Sequence, residues 1–221
     1  MNFSHRICLT VFVYAVACWS SALAQAPLLE EVVFSQKGGM IDREILLNVA
    51  PPVVSGGVVR YTLDNSEPTA QSAEWDGSLR VATSTVVRAR IFAPGTLPGP
   101  TKSRHFVRLD STLLNYRNSR KPFSSNLPIV VIEPFGSPIE YDRAKNPVYT
   151  LTIRPDLTGR AKIFGAEVDF EGRGAMGLRG ETSAGFDQKS FDWEVRDDLN
   201  ADRPVSLLDM PAESDWALYA P

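Results

Sequence analysis

Four groups of residues in this chain are of types that can do chemistry. The first is Gly172-Arg173-Gly174-Ala175-Met176-Gly177, formally G-x-G-x-x-G. That spacing can lay backbone N–H groups around phosphates. Lys189 follows twelve positions after Gly177, as a phosphate-contacting lysine could. But Leu178-Arg179-Gly180 continues without helical periodicity, and no V-A-I-K pattern surrounds Lys189. The run therefore reads as a β-bulge or tight hairpin. The second group is Asp64, Glu67, Glu74 and Asp76. Two carboxylates at about 5–10 Å could cleave a glycosidic bond. These four stand in a turn-rich polar stretch, where Asp64 is expected to bond the backbone two residues on. The third is Arg117, Arg120 and Lys121, too few charges for a phosphate-binding surface. The fourth is the small stock of Cys8, Cys18, His5 and His105.

Most of that stock belongs to the first 24 residues. A basic stretch ends at Arg6, an apolar run follows from Ile7 to Ala17, and Ala22-Leu23-Ala24 makes an A-x-A-like site before Gln25. This is the pattern of a secretory signal peptide cut between Ala24 and Gln25. The apolar run is short for a bilayer span of about 20 residues. Lipidation at Cys18 is the alternative, since Ala15-Val16-Ala17-Cys18 loosely matches a lipobox with Ala15 where Leu is usual. Cleavage of 24 residues from 221 leaves 197, removes both cysteines and His5, and takes the net charge from −3 to −4. A disulfide, a Cys nucleophile, a multi-His metal centre and a Ser-His-Asp triad are then disfavoured. The expected location is extracellular or periplasmic, with no membrane span after cleavage.

The rest must position whatever chemistry remains. The chain is 43% hydrophobic and 22% charged, a globular balance of one or two domains. Its acidic net charge gives no case for nucleic acid. Short Val/Ile/Thr/aromatic runs separated by Gly, Pro, Asn and Ser predict a mainly β protein. Strands are expected at 31–34, 44–49, 58–63, 85–92 and 104–109, then at 128–133, 148–153, 162–170 and 190–196. Val87-Arg88-Ala89-Arg90-Ile91-Phe92 alternates as a half-buried strand does. Residues 110–127 are polar and read as a linker.

The run Arg60-Tyr61-Thr62-Leu63-Asp64-Asn65-Ser66-Glu67-Pro68-Thr69 resembles the YT-x-DGS-x-PT signature of the chitobiase/β-hexosaminidase C-terminal domain. Ser72, Trp75 and Gly77 follow, then Ser84-Thr85-Val86-Val87-Arg88-Ala89-Arg90 in place of its T-x-V-KA-x-A strand. Asn65 replaces a glycine and tolerates the left-handed turn conformation. The resemblance covers about 28–109. It implies an immunoglobulin- or fibronectin-III-like sandwich, an accessory module that carries no glycosidase activity with it.

A second resemblance covers 125–221. Ser125-Asn126-Leu127-Pro128-Ile129-Val130, Leu178-Arg179-Gly180-Glu181-Thr182-Ser183, Gln188-Lys189-Ser190-Phe191 and Ser206-Leu207-Leu208-Asp209-Met210-Pro211-Ala212-Glu213-Ser214-Asp215-Trp216 are similar, in order, to motifs of the CotH kinase family. Gln188, Phe191 and Asp209 depart from its Lys, Tyr and Gly. The resemblance implies the β-rich opening of an atypical kinase-like domain at 128–221. Intact members transfer phosphate from ATP to serine with a divalent metal. It makes Lys189 and Arg179 the candidate nucleotide-phosphate contacts. The chain stops where that family continues into its second lobe, so no catalytic residue is assigned and this chain is expected to be a piece inactive alone. The alternative is a secreted, non-catalytic protein that contacts a cell-surface or spore-coat-like protein or glycan.

Overall fold

In a computed structural model, residues 25–141, 145–165, 168–180 and 185–220 are described. The expected signal segment, with Cys18 and Ala24, lies outside them, as do Glu181, Thr182 and Ser183 of the CotH-like motif. The first half forms β1 (Ala26–Pro27), β2 (Gly39–Ile41), β3 (Ile45–Leu47), β4 (Val58–Thr62) and β5 (Ala73–Glu74). It continues with β6 (Leu79–Val81), β7 (Thr85–Phe92), β8 (Thr96–Leu97) and β9 (Lys102–Arg108). A single helical turn, α1 (Ser111–Leu114), and a 3-10 turn, Tyr116–Asn118, follow. The second half holds β10 (Ser124–Ser125), β11 (Ile129–Glu133), β12 (Asn146–Ile153) and β13 (Ala161–Lys162). It closes with β14 (Phe170–Arg179), β15 (Ser190–Val195) and β16 (Asp215–Leu218).

The first half is a β-sandwich. One sheet runs β2-β9-β7-β4-β5, and the pair β3-β6 lies in a second layer. Leu47 and Val81 of that pair pack with Val59, Val87, Ala89, Ile91 and Phe106 of the sheet. Val87, Ala89 and Ile91 share one face of β7, as its alternation requires. The 31–34 strand reduces to a bridge between Phe34 and Val49, yet Phe34 and Val32 still enter the core.

The second half is an antiparallel sheet in the order β11-β12-β14-β15-β16. Of the expected strand at 162–170, the described residues are in strands only at its two ends, Lys162 in β13 and Phe170 in β14. The chain turns at Gly165, whose φ is 78°, and re-enters pairing only at Phe170. On one face Val148, Met176, Trp193 and Val195 pack under Phe170 and Leu207.

The other face meets the sandwich. Val107 packs with Tyr149 and Leu151, and Leu109 with Ile129 and Ile153. Alternate residues of β9 thus follow alternate residues of β12. Met40 of β2 touches both clusters. The 110–127 stretch is largely exposed, but Leu114 and Phe123 pack against the same seam. Burying these side chains removes apolar surface from water on both halves at once.

This seam changes β7. Its alternation places Arg88 on the water side, but Arg88 is only 3% exposed. Its Nη1 donates to the Asn65 carbonyl at 3.0 Å and its Nη2 to the Asp198 carbonyl at 2.7 Å. A face polar by pattern is covered by the neighbouring sheet.

Candidate functional site

The carboxylates of the first half are turn and sheet chemistry. Asp64 Oδ1 accepts the Ser66 N–H at 3.0 Å and the Ser66 hydroxyl at 2.5 Å. Those bonds hold its carboxyl below the usual range. The following Asn65 sits at φ 64°, the left-handed conformation read from its sequence. Glu67 pairs with Arg90 at 2.8 Å and accepts from the Thr101 hydroxyl at 3.1 Å. Glu74 lies 3.4 Å from Arg60. Each is spoken for by a sandwich contact.

The glycine run is neither loop, bulge nor hairpin. Gly172, Gly174 and Gly177 lie inside β14: Gly172 pairs with β12, Gly177 with β15, and Gly174 with both. The reason is room. A Cβ on Gly174 would stand 2.7 Å from Trp193 Nε1, and one on Gly172 would stand 2.6 Å from Phe170 Cζ. Trp193 is 1% exposed, so the strand gives up side chains where the indole and phenyl ring pack.

Arg179 ends β14 and pairs in register with Ser190, the residue after Lys189. Arg179 and Lys189 therefore flank the stretch that joins β14 to β15. Arg179 is exposed and its Nη1 donates to Asp192 Oδ1 at 2.9 Å. Lys189 is half-buried. Among the described residues no three His, Cys, Asp or Glu side chains converge, so no metal ligand is assigned.

A cleft lies at the seam, where no sequence motif points to it. It has a volume of about 480 Å³ and opens between β9 and β14. His105 and Tyr149 line it with their rings stacked. Burial, and then Arg173, Arg88 and Arg104, push the His105 imidazole down to about 3. Burial, and then Glu171, push the Tyr149 phenol up. Arg173, 8% exposed, donates from Nη1 to the Asp198 carbonyl at 3.0 Å and from Nη2 to Asn200 Oδ1 at 2.9 Å. Its Nη2 also lies 3.4 Å from Asn65 Oδ1. Asn65, the residue that replaces glycine in the sandwich signature, thus reaches across the seam. Burial and the neighbouring Arg88 make the charged form of Arg173 less favourable than usual.

A family model for the chitobiase/beta-hexosaminidase C-terminal domain matches residues 46–103. The match runs from β3 into the first residues of β9 and agrees with the sandwich. No curated protein matches the chain, and no solved structure does. The CotH resemblance rests on its motifs alone.

Proposed function

We propose that residues 125–220 are the β-rich opening of a CotH-like, atypical kinase domain in a secreted protein, braced by the preceding sandwich. The observation that supports this reading is the register Arg179↔Ser190, which leaves both motif cations flanking the stretch that joins β14 to β15. Lys189 would contact a nucleotide phosphate as a point charge, and Arg179 would do so through its planar fork. ATP with a divalent ion would supply the transferable phosphoryl group.

The test is ATP titrated into the full chain, followed by amide NMR. The reading expects saturable shifts at 178–180 and 189–191, weakened about tenfold by Lys189→Ala. Shifts absent from that hairpin, or unaltered in Lys189→Ala, would remove Lys189 from the role.

A second reading, a non-catalytic secreted protein that contacts a surface protein or glycan, is favoured by the seam cleft. It expects ATP to leave the hairpin amides unmoved.

A further inference from the structure

We infer that the seam cleft is a binding site for an oxyanion: a phosphate, sulfate or carboxylate group carried on a sugar-sized ligand. The first argument is charge. Arg104, Arg173, Arg196, Arg203 and Lys37 line the cleft against Glu171, Asp197 and Asp198. The acids are already engaged. Glu171 is hydrogen-bonded by Tyr149. Asp197 Oδ1 accepts the Leu199 and Ala201 N–H groups at 2.8 and 2.9 Å. Asp198 Oδ1 lies 3.8 Å from Arg173 Nη1. Arg196 pairs with Glu194. Among the described residues, Lys37, Arg104 and Arg203 make no ion pair, so the cleft keeps a surplus of positive charge.

The second argument is unmet hydrogen bonding. Ser103 is 8% exposed, lines the cleft, and its hydroxyl has no hydrogen-bond partner. Arg104 Nε is buried beside it and also unpartnered. A buried donor without an acceptor is costly and is usually satisfied. The Ser103 hydroxyl, which lines the cationic cleft, calls for an acceptor from outside the chain. An oxyanion supplies several lone pairs and a compensating charge together. The volume, about 480 Å³, is in the range of small-ligand sites. The floor of the cleft is supplied by both halves, so a ligand there touches β9 and β14 at once.

The site is separate from the stretch that joins β14 to β15, and its test does not depend on the nucleotide reading. The full chain is titrated with inorganic phosphate, sulfate, glucuronate and, as a neutral control, glucose, with amide NMR and calorimetry as readouts. At least one anion is expected to saturate with shifts at 103–105 and 172–173, and glucose to give none. Preference for phosphate or sulfate over glucuronate assigns a tetrahedral group, and the reverse assigns a carboxylate. Lys37→Gln and Arg203→Gln, both at exposed positions, should each weaken binding by about fivefold to tenfold. Arg80→Gln, on the exposed Glu44 pair, should leave it unchanged. Ser103→Ala should weaken binding without lowering the melting temperature, because its hydroxyl has no partner in the unliganded fold. No saturable binding by any anion up to about 20 mM, where contacts worth even a weak site would register, overturns the inference. So does equal weakening by Arg80→Gln.

Discussion

The His105 imidazole lies flat on the Tyr149 ring, with centroids 4.5 Å apart and planes 5° from parallel. One ring comes from β9 of the sandwich and the other from β12 of the second sheet. Phe135 approaches the same imidazole at 6.0 Å. A protonated ring here would have to be desolvated beside Arg173, Arg88 and Arg104, so the stack is built for the neutral form.

Acid should therefore weaken the fold through one group. His105 is pushed down to about 3 in the folded chain and returns to about 6.5 when unfolded. Its folded value is depressed, so the unfolded state binds the extra proton between the two. Stability is fully present above the unfolded value and is lost as pH falls toward the folded one. The slope should approach about 1.4 kcal/mol per pH unit near pH 5. Urea denaturation at several pH values from 7.5 to 5 measures it. His105→Gln should flatten the dependence, and an unchanged slope in that variant would contradict the assignment.

The seam should make the two halves unfold together. Leu151 is 0% exposed and packs with Val107 across it. Leu151→Ala should cost about 2–5 kcal/mol. Hydrogen exchange at Val87 and Val195, one in each sheet, should accelerate together. Acceleration at Val195 alone would mean that the halves are energetically independent.

Gly174→Ala should destabilise although alanine suits a strand better than glycine. The added methyl collides first with the Glu194 backbone carbonyl and then meets Trp193 Nε1 at 2.7 Å, and overpacking of this kind costs about 1–3 kcal/mol. The check is the melting temperature of Gly174→Ala alone and combined with Trp193→Phe. Because the Glu194 carbonyl stays in place, the smaller ring is expected to relieve only part of the loss, and a Gly174→Ala variant as stable as the parent would refute the packing account.

At Asn65, glycine and valine should diverge. Asn65→Gly keeps the φ of 64° free of strain and loses only the long contact to Arg173. Asn65→Val loses that contact and adds about 1–2 kcal/mol of left-handed strain. Chemical denaturation of the two variants separates the terms. Equal losses would show that conformation is unimportant there.

Local patterns were legible where local physics decides. The alternation at 85–92 specifies β7, and Asp64 bonds Ser66 as its turn chemistry requires. Arg88 was not legible. Its alternation says solvent, and only the approach of the second sheet buries it. The glycine run misled for a related reason. Its spacing is that of a phosphate loop, but the space it leaves is filled by Trp193 and Phe170, which no spacing rule relates to it. The seam cleft has no motif because its members come from separate strands and loops. The motifs name Lys189 and Arg179, and the register adds only that the two flank the stretch joining β14 to β15.

The lock-step of β9 on β12 also bears on how such proteins can be recombined. A sandwich that ended at its own surface could be lifted out and traded like a cassette. Here the outward row of β9, from Ser103 through His105 and Val107 to Leu109, is complementary to one particular partner sheet. A graft that carries the sandwich without Tyr149, Leu151 and Ile153 moves half of a lock. A chimera would have to be cut beyond β12, so the exchangeable unit is larger than the matched family segment.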